Sequence, residues 1–163
     1  MSDVIPFCVE DLTKEWLEKV LKKSLKESEK VEILNIKPIK TEGYLSKAAQ
    51  GIIRINDKTY LEKVFIKLNL PSNDPFQTYV NDYGIDKKEL NVYQEILPAL
   101  MEYEIQTFGK SKLQMKIPKF YAGGFTGSGA TYGFYLIIED VSDHYKILSN
   151  SEGMDRLYYI IIN

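Results

Sequence analysis

The sequence predicts an α+β fold: a five-stranded, mostly antiparallel sheet with an N-terminal helix and a second helix inserted after the third strand. Three patterns carry this prediction. An amphipathic helical pattern opens the chain, three strand patterns follow it, and a second helical pattern separates these from two more strands. The chain has 163 residues, which is enough for one domain with a buried core.

Composition narrows the function classes. The net charge is −2 and no basic stripe is visible, so nucleic acid is not expected as a partner. Cys8 is the only cysteine, which argues against a disulfide framework or a cysteine-based zinc site and fits a reducing compartment. The sequence has no signal-peptide pattern and no apolar run long enough for a membrane span. We therefore expect a cytoplasmic protein that does not act at a membrane.

The first helix is predicted over 13–28, with Thr13 as its N-cap. Its apolar residues recur at helical spacing: Leu12, Trp16, Leu17, Val20, Leu21 and Leu25. Strand patterns cover 30–40, 43–55 and 60–68, with turn residues Asn56 and Asp57 before the third. In the third strand, alternation places Phe65 and Lys67 on the face opposite Val64, Ile66 and Leu68.

A polar loop containing Pro71, Pro75 and Gly84 is predicted to lead into a helix over about 86–101. The apolar stripe of this helix is Leu90, Tyr93, Leu97 and Leu100. Pro98 predicts either a kink or the first turn of a new segment. Two strands then flank a glycine-rich turn, and the second is apolar on both faces, which is typical of a strand buried on both sides. Residues 149–163 resemble the start of a further helix.

Lys67 and Glu89 are the candidate functional pair. A lysine at the end of a strand is ordinarily a solvated surface residue. A lysine on the third strand followed by a glutamate on the next helix, however, is the ion pair with which protein kinases hold ATP phosphates. A compact ammonium can reach phosphate oxygens, and a paired carboxylate keeps that ammonium in place.

Several segments together resemble the ecdysteroid-kinase-like family, also called CHK kinase-like proteins. They are "VFIK" at 64–67, "ELNVYQEILPAL" at 89–100 and "YLIIEDVSD" at 135–143, preceded by "LTKEWLEKVLK" and "EGYLSKAAQGIIRI". The family belongs to the aminoglycoside phosphotransferase and choline kinase group within the protein-kinase-like fold. The resemblance implies a kinase-like N-lobe over 1–138, followed at 139–163 by the hinge and the start of a C-lobe. It also implies ATP-dependent phosphorylation of a small-molecule hydroxyl.

The resemblance assigns roles to individual residues. Lys67 would contact the α- and β-phosphates of ATP, and Glu89 would orient it. The loop 43–46 would lie over the phosphates, with Gly43 and Ser46 as contacts, although a serine there also fits an ordinary turn. The backbone of Glu139, Asp140 and Val141 would bind adenine, while the two acidic side chains are expected to be structural. Magnesium would accompany ATP, with its ligands in the C-lobe.

Other patterns limit these expectations. The "GGFTGSG" stretch at 123–129 resembles a phosphate loop but lacks the lysine and helix that such a loop needs, so a hairpin turn is the better interpretation. His144 is not followed by an aspartate at catalytic-loop spacing. We therefore expect this chain not to transfer phosphate and to bind ATP with millimolar affinity at best, about 4 kcal/mol.

Two alternatives stay open at this point. The chain could be a non-catalytic, kinase-like binding or scaffold module. It could also be an unrelated α+β domain in which Lys67 and Glu89 coincide by chance. The apolar run "LYYIII" at 157–162 favours a kinase part over a free-standing module, because a C-lobe would cover it.

Overall fold

A computed structural model describes residues 5–6, 8–25, 29–39, 46–56, 60–69, 74–109, 117–126 and 132–143. After a short 3₁₀ turn at Val9–Asp11, the elements follow in the order helix, three strands, helical segment, two strands. Their bounds are α1 Lys14–Ser24, β1 Val31–Ile39, β2 Lys47–Ile55, β3 Glu62–Leu68, α2 Pro75–Tyr83, α3 Ile85–Asn91, α4 Leu97–Phe108, β4 Phe120–Thr126 and β5 Gly133–Glu139.

The five strands form one antiparallel sheet in the order β1-β2-β3-β5-β4. The predicted α+β class, with a helical insertion after the third strand, is thus confirmed. β5 lies inside the sheet, between β3 and β4. Phe134 and Leu136 are buried on one of its faces and Ile137 on the other, as the doubly apolar pattern predicted.

Helix α1 packs on one face of the sheet. Thr13 is its N-cap, as predicted: the Thr13 hydroxyl oxygen accepts a hydrogen bond from the Trp16 amide at 3.1 Å. Leu17 and Leu21 are fully buried in a core with the inward side chains of the strands. That core includes Val64, Ile66 and Leu68 of β3, as alternation required. The three residues turn away from the face that carries Lys67.

The polar loop predicted before the second helix is partly wrong, because it contains α2. Asp74 caps this helix: its carboxylate accepts a hydrogen bond from the Phe76 amide at 2.9 Å. Pro75 occupies the first helical turn and Gly84 ends the helix with φ 59°. An N-cap aspartate, a first-turn proline and a left-handed C-terminal glycine are helix boundary signals. Proline and glycine are also common in loops, which explains why this segment resembles a loop in the sequence.

The second predicted helix is longer than expected and changes phase. After α3, the chain makes a π-helical turn over Val92–Ile96 and then continues as α4. Pro98 lies in the first turn of α4, which is one of the two predicted alternatives. Leu90 is buried and Leu97 is half-buried, but Leu100 is 53% exposed, so the predicted apolar stripe is wrong at Leu100. Glu104 is the only buried residue among those described in α4, so Leu100 is exposed together with most of this helix.

Asn69 connects β3 to the start of β5. Its side-chain oxygen accepts a hydrogen bond from the Phe134 amide at 2.9 Å, and its side-chain nitrogen donates to the Tyr132 carbonyl at 3.3 Å. Asn69 is 1% exposed, so it satisfies two backbone groups away from water. These two hydrogen bonds fix the end of β3. Lys67 lies two residues before Asn69.

Some sequence predictions fall outside the described residues. They concern Gly43, Asp57, Pro71, His144, the tip of the glycine-rich turn and the segment 149–163. Gly123 and Gly124 are described, and both belong to β4 of the β4–β5 hairpin. Among the described helices, none is both long enough and apolar enough to cross a membrane.

Candidate functional site

The sheet has an open face, which we define as the one carrying Ala48, Gln50, Phe65 and Lys67, opposite α1. The register aligns these side chains in two cross-strand rows. Ala48, Lys67 and Leu136 form one row; Gln50, Phe65 and Ile138 form the other. Helix α3 packs over the β5 part of this face through Leu90, which lies against Phe134 and Leu136. Lys67 therefore stands where the open face meets α3.

Lys67 forms an ion pair with Glu89 across the boundary between β3 and α3. Their side chains are 17% and 31% exposed, so the pair is sheltered but reachable from solvent. The sequence predicted that these charges would come within ion-pair reach, and this geometric expectation is confirmed. Both side chains keep some solvent exposure, so an incoming anion could reach the Lys67 ammonium.

Asp86 is the member of this cluster that sequence analysis missed. It lies one helical turn before Glu89, is only 2% exposed and has a side-chain oxygen, Oδ2, without a hydrogen-bond partner among the described residues. Burial raises the pKa of Asp86 to about 6, with Glu89 raising it further and the Lys67 ammonium lowering it. Asp86 is therefore close to half-protonated slightly below neutral pH.

One sequence signal could have pointed to Asp86. Residues three apart share a helix face, so the pairing expected for Glu89 also places Asp86 on the helix face that carries Glu89. Glu89 forms an ion pair with the Lys67 ammonium, and the charge of that ammonium also acts on Asp86. Two tyrosines border the group: burial raises the pKa of Tyr132 to about 12, with Asp86 adding to the effect, and burial and Glu89 raise the pKa of Tyr93. Both phenols thus remain neutral at physiological pH.

The segment Glu139–Val141 continues directly from β5, at the position predicted for an adenine-binding hinge. Two of its amides already donate within the protein, that of Glu139 to the Lys119 carbonyl at 2.8 Å and that of Asp140 to the Lys63 carbonyl at 3.0 Å. An adenine base would have to use other backbone groups of the segment.

The carboxylates of Glu139 and Asp140 also bond to the protein. That of Glu139 accepts from the Lys119 amide at 3.1 Å. That of Asp140 accepts from the Gln50 side chain and, at 2.9 Å, from the Ser142 amide. Burial alone would raise the pKa of Asp140, but these hydrogen bonds and the Lys63 charge outweigh it and lower that pKa. Both side chains hold the segment against neighbouring strands.

The distance between this segment and Lys67 follows from the strand register. Lys67 pairs with Leu136, whereas Val64 pairs with Glu139. Three residues of extended chain span roughly 10 Å, which is about the reach from the adenine base to the first phosphates of ATP. Phe65 and Ile138 lie in the row between the two positions and are half-buried. They supply an apolar surface between the charged pair and the segment.

Ser46 is half-buried and directly precedes β2, two residues before Ala48, the register partner of Lys67. It is thus near the correct end of the sheet for a phosphate contact. Gly43, the other predicted member of that loop, is outside the described residues.

A cavity of about 430 Å³ lies at the opposite end of β3, away from Lys67 and Glu89. It is lined by Tyr60, Leu61, Glu62, Lys63, Lys119, Tyr121, Glu139, Asp140 and Asp143. Lys63 pairs with Asp143, and Lys119 lies 3.4 Å from the Glu62 carboxylate, which also accepts from the Tyr121 hydroxyl. Both lysines are engaged and the lining is net acidic. We therefore place the candidate phosphate site at the Lys67–Glu89 pair rather than in this cavity.

Comparison of the chain with protein families, with characterised proteins and with solved structures finds no match. Within the described part of the chain, no three histidine, cysteine or acidic side chains converge as metal ligands. The geometry around Lys67 is therefore the main structural basis for assigning a function.

Proposed function

We propose that this chain is the N-terminal, ATP-phosphate-binding part of a kinase that phosphorylates a small-molecule hydroxyl. The observation that carries the proposal is the Lys67–Glu89 ion pair, formed between the third strand and the next helical segment in a sheltered position. The resemblance to ecdysteroid-kinase-like proteins supplies the reaction class. Lys67 would neutralise α- and β-phosphate charge, and Glu89 would hold its ammonium in place.

The residues on the open face fit a nucleotide in order along β3. The ammonium of Lys67 lies at one end, the half-buried Phe65 and Ile138 follow, and the Glu139–Val141 segment lies roughly 10 Å away. The phosphates would lie at Lys67, the ribose and the face of the base would lie against Phe65 and Ile138, and the edge of the base would contact the Glu139–Val141 segment. When bound, ATP would supply the phosphoryl group for transfer to the hydroxyl acceptor. Magnesium would arrive with the nucleotide.

Calorimetric titration with ATP and magnesium tests the proposal. We expect an affinity in the millimolar range, about 4 kcal/mol, because one lysine supplies the phosphate-binding charge among the described residues of this site. Lys67→Ala should abolish the measurable binding, because the phosphates lose their cation. Lys22→Ala is the matched control: it removes one lysine from an ion pair with Glu18 on α1, beyond the opposite face of the sheet.

The Lys22→Ala control distinguishes loss of a specific phosphate contact from a general effect of removing one positive charge. A loss in Lys67→Ala that Lys22→Ala does not share assigns the effect to the site. Equal losses in both variants would mean that ATP senses only the net charge of the protein, and unchanged binding in Lys67→Ala would place the nucleotide elsewhere. Either of these results contradicts the proposed function.

A further inference from the structure

The buried carboxyl group of Asp86 needs a physical explanation. Taking an ionised carboxylate out of water is costly unless it is paired and hydrogen-bonded. Asp86 is 2% exposed, and its Oδ2 has no hydrogen-bond partner among the described residues. Lys67 on β3 and Glu89 on α3 act electrostatically on the Asp86 carboxyl group and shift its pKa, and these two residues are already paired with each other.

We propose that Asp86 is the third ionisable member of the Lys67–Glu89 site and that its protonation controls how strongly the site attracts phosphate. This inference rests on the proposed function, because phosphate bound at Lys67 is what it regulates. Asp86 acts through the charge that it adds beside Lys67. It is a positioning residue in this account and has no contact with the transferred group.

The charges of the cluster make the direction clear. With Asp86 protonated, Lys67 and Glu89 sum to zero. With Asp86 ionised, the cluster carries one negative charge, which repels phosphate and competes for the Lys67 ammonium. Tyr132 faces Asp86 but stays neutral, since its pKa is about 12. Phosphate binding should therefore favour the protonated form of Asp86 and weaken as the pH rises above about 6.

The first test follows the ionisation of Asp86 without any ligand. Its carboxyl carbon is titrated by NMR in the wild type, in Lys67→Met and in Glu89→Gln. Because the Lys67 ammonium lowers this pKa and Glu89 raises it, Lys67→Met should shift the pKa upward and Glu89→Gln should shift it downward. An Asp86 pKa that moves in neither variant would show that the three groups do not form one electrostatic cluster, and would overturn the inference.

The second test compares ATP affinity in the wild type and in Asp86→Asn at pH 5 and pH 7.5. At each pH, the affinity of Asp86→Asn is divided by that of the wild type. This ratio removes the effect of the protonation of ATP itself, which is the same for both proteins. The ratio should be near one at pH 5. At pH 7.5, Asp86→Asn should bind up to about thirtyfold more tightly if only the protonated wild type binds. Asp82→Asn, which removes a carboxylate from an exposed position on α2, should match the wild type at both pH values.

The outcomes separate this inference from the proposed function. Binding that requires Lys67, but with an Asp86→Asn ratio near one at pH 7.5, overturns the role of Asp86 alone. Absence of ATP binding in every protein at both pH values overturns the proposed function and this inference with it. A rise in affinity that Asp82→Asn shares would mean general charge repulsion and would also overturn the specific role of Asp86.

Discussion

The role of Lys67 depends on the residues around it. Its strand position follows from alternation, and its pairing with Glu89 was predicted from the chain order of strand and helix. Its second acidic neighbour was not predicted. Asp86 lies in the first turn of α3, where an aspartate is ordinarily a solvated residue beside the helix N-terminus. Only tertiary packing buries it, and burial is what changes its chemistry.

Asn69 supports the site in a different way, and its removal should be costly. Asn69→Ala leaves the Phe134 amide and the Tyr132 carbonyl without their side-chain partner in the protein interior. We expect a loss of about 2–4 kcal/mol in the free energy of unfolding, because two buried backbone groups become unsatisfied. Urea denaturation of the variant measures it.

Asn35→Ala is the control for this prediction, because Asn35 is an exposed asparagine on β1. Its cost should stay within about 0.5 kcal/mol. If both substitutions destabilise equally, the Asn69 hydrogen bonds are not what joins β3 to β5.

At the scale of elements, helix α1 and the strands were largely predictable and the α2–α4 region was not. The α1 pattern places Leu17, Val20 and Leu21 at helical spacing, and all three are buried. In the α2–α4 region, Pro75 and Gly84 are residue types shared by loops and helix ends, so local sequence does not separate the two. The π turn at Val92–Ile96 has no sequence signal comparable to a cap. The exposure of Leu100 was not predictable from its apolar spacing, because most of the described α4 side chains are exposed.

A glycine in β2, Gly51, leaves room for the side chain of its register partner Val64 on β3. A Cβ atom added at Gly51 would lie 2.7 Å from Cγ2 of Val64 and 3.5 Å from the side chains of Ile66 and Leu17. Val64 is β-branched and has little freedom to move aside. Gly51→Ala should therefore lower the free energy of unfolding by about 1–3 kcal/mol.

Combining Gly51→Ala with Val64→Ala tests whether crowding against Val64 causes the loss of stability. In a Val64→Ala protein, the crowding atom is gone, so adding Gly51→Ala should cost clearly less than it does in the wild type. Chemical denaturation of the four proteins in this cycle gives the comparison. An identical cost in both backgrounds would mean that steric crowding against Val64 is not the reason for the glycine.

At the scale of the whole molecule, the sheet separates two environments. The face under α1 is a closed apolar core, whereas the open face carries the Lys67–Glu89 pair next to the half-buried Phe65. Sequence alternation predicted which side chains share each face, because the period of a strand is fixed. The strand order was not predictable in the same way, since β5 pairs with β3 across a long helical insertion.

Mapping bound ATP onto the molecule tests the central claim most directly. Amide resonances of the ¹⁵N-labelled protein are followed during titration with ATP and magnesium, in the wild type and in Lys67→Ala. We expect shifts at Lys67, around Glu89 and in the Glu139–Val141 segment, and we expect the shifts around Glu89 and in that segment to disappear in Lys67→Ala. Shifts at Glu62 and Tyr121 without shifts at Lys67 and Glu89, or shifts that persist in Lys67→Ala, would contradict the proposed site.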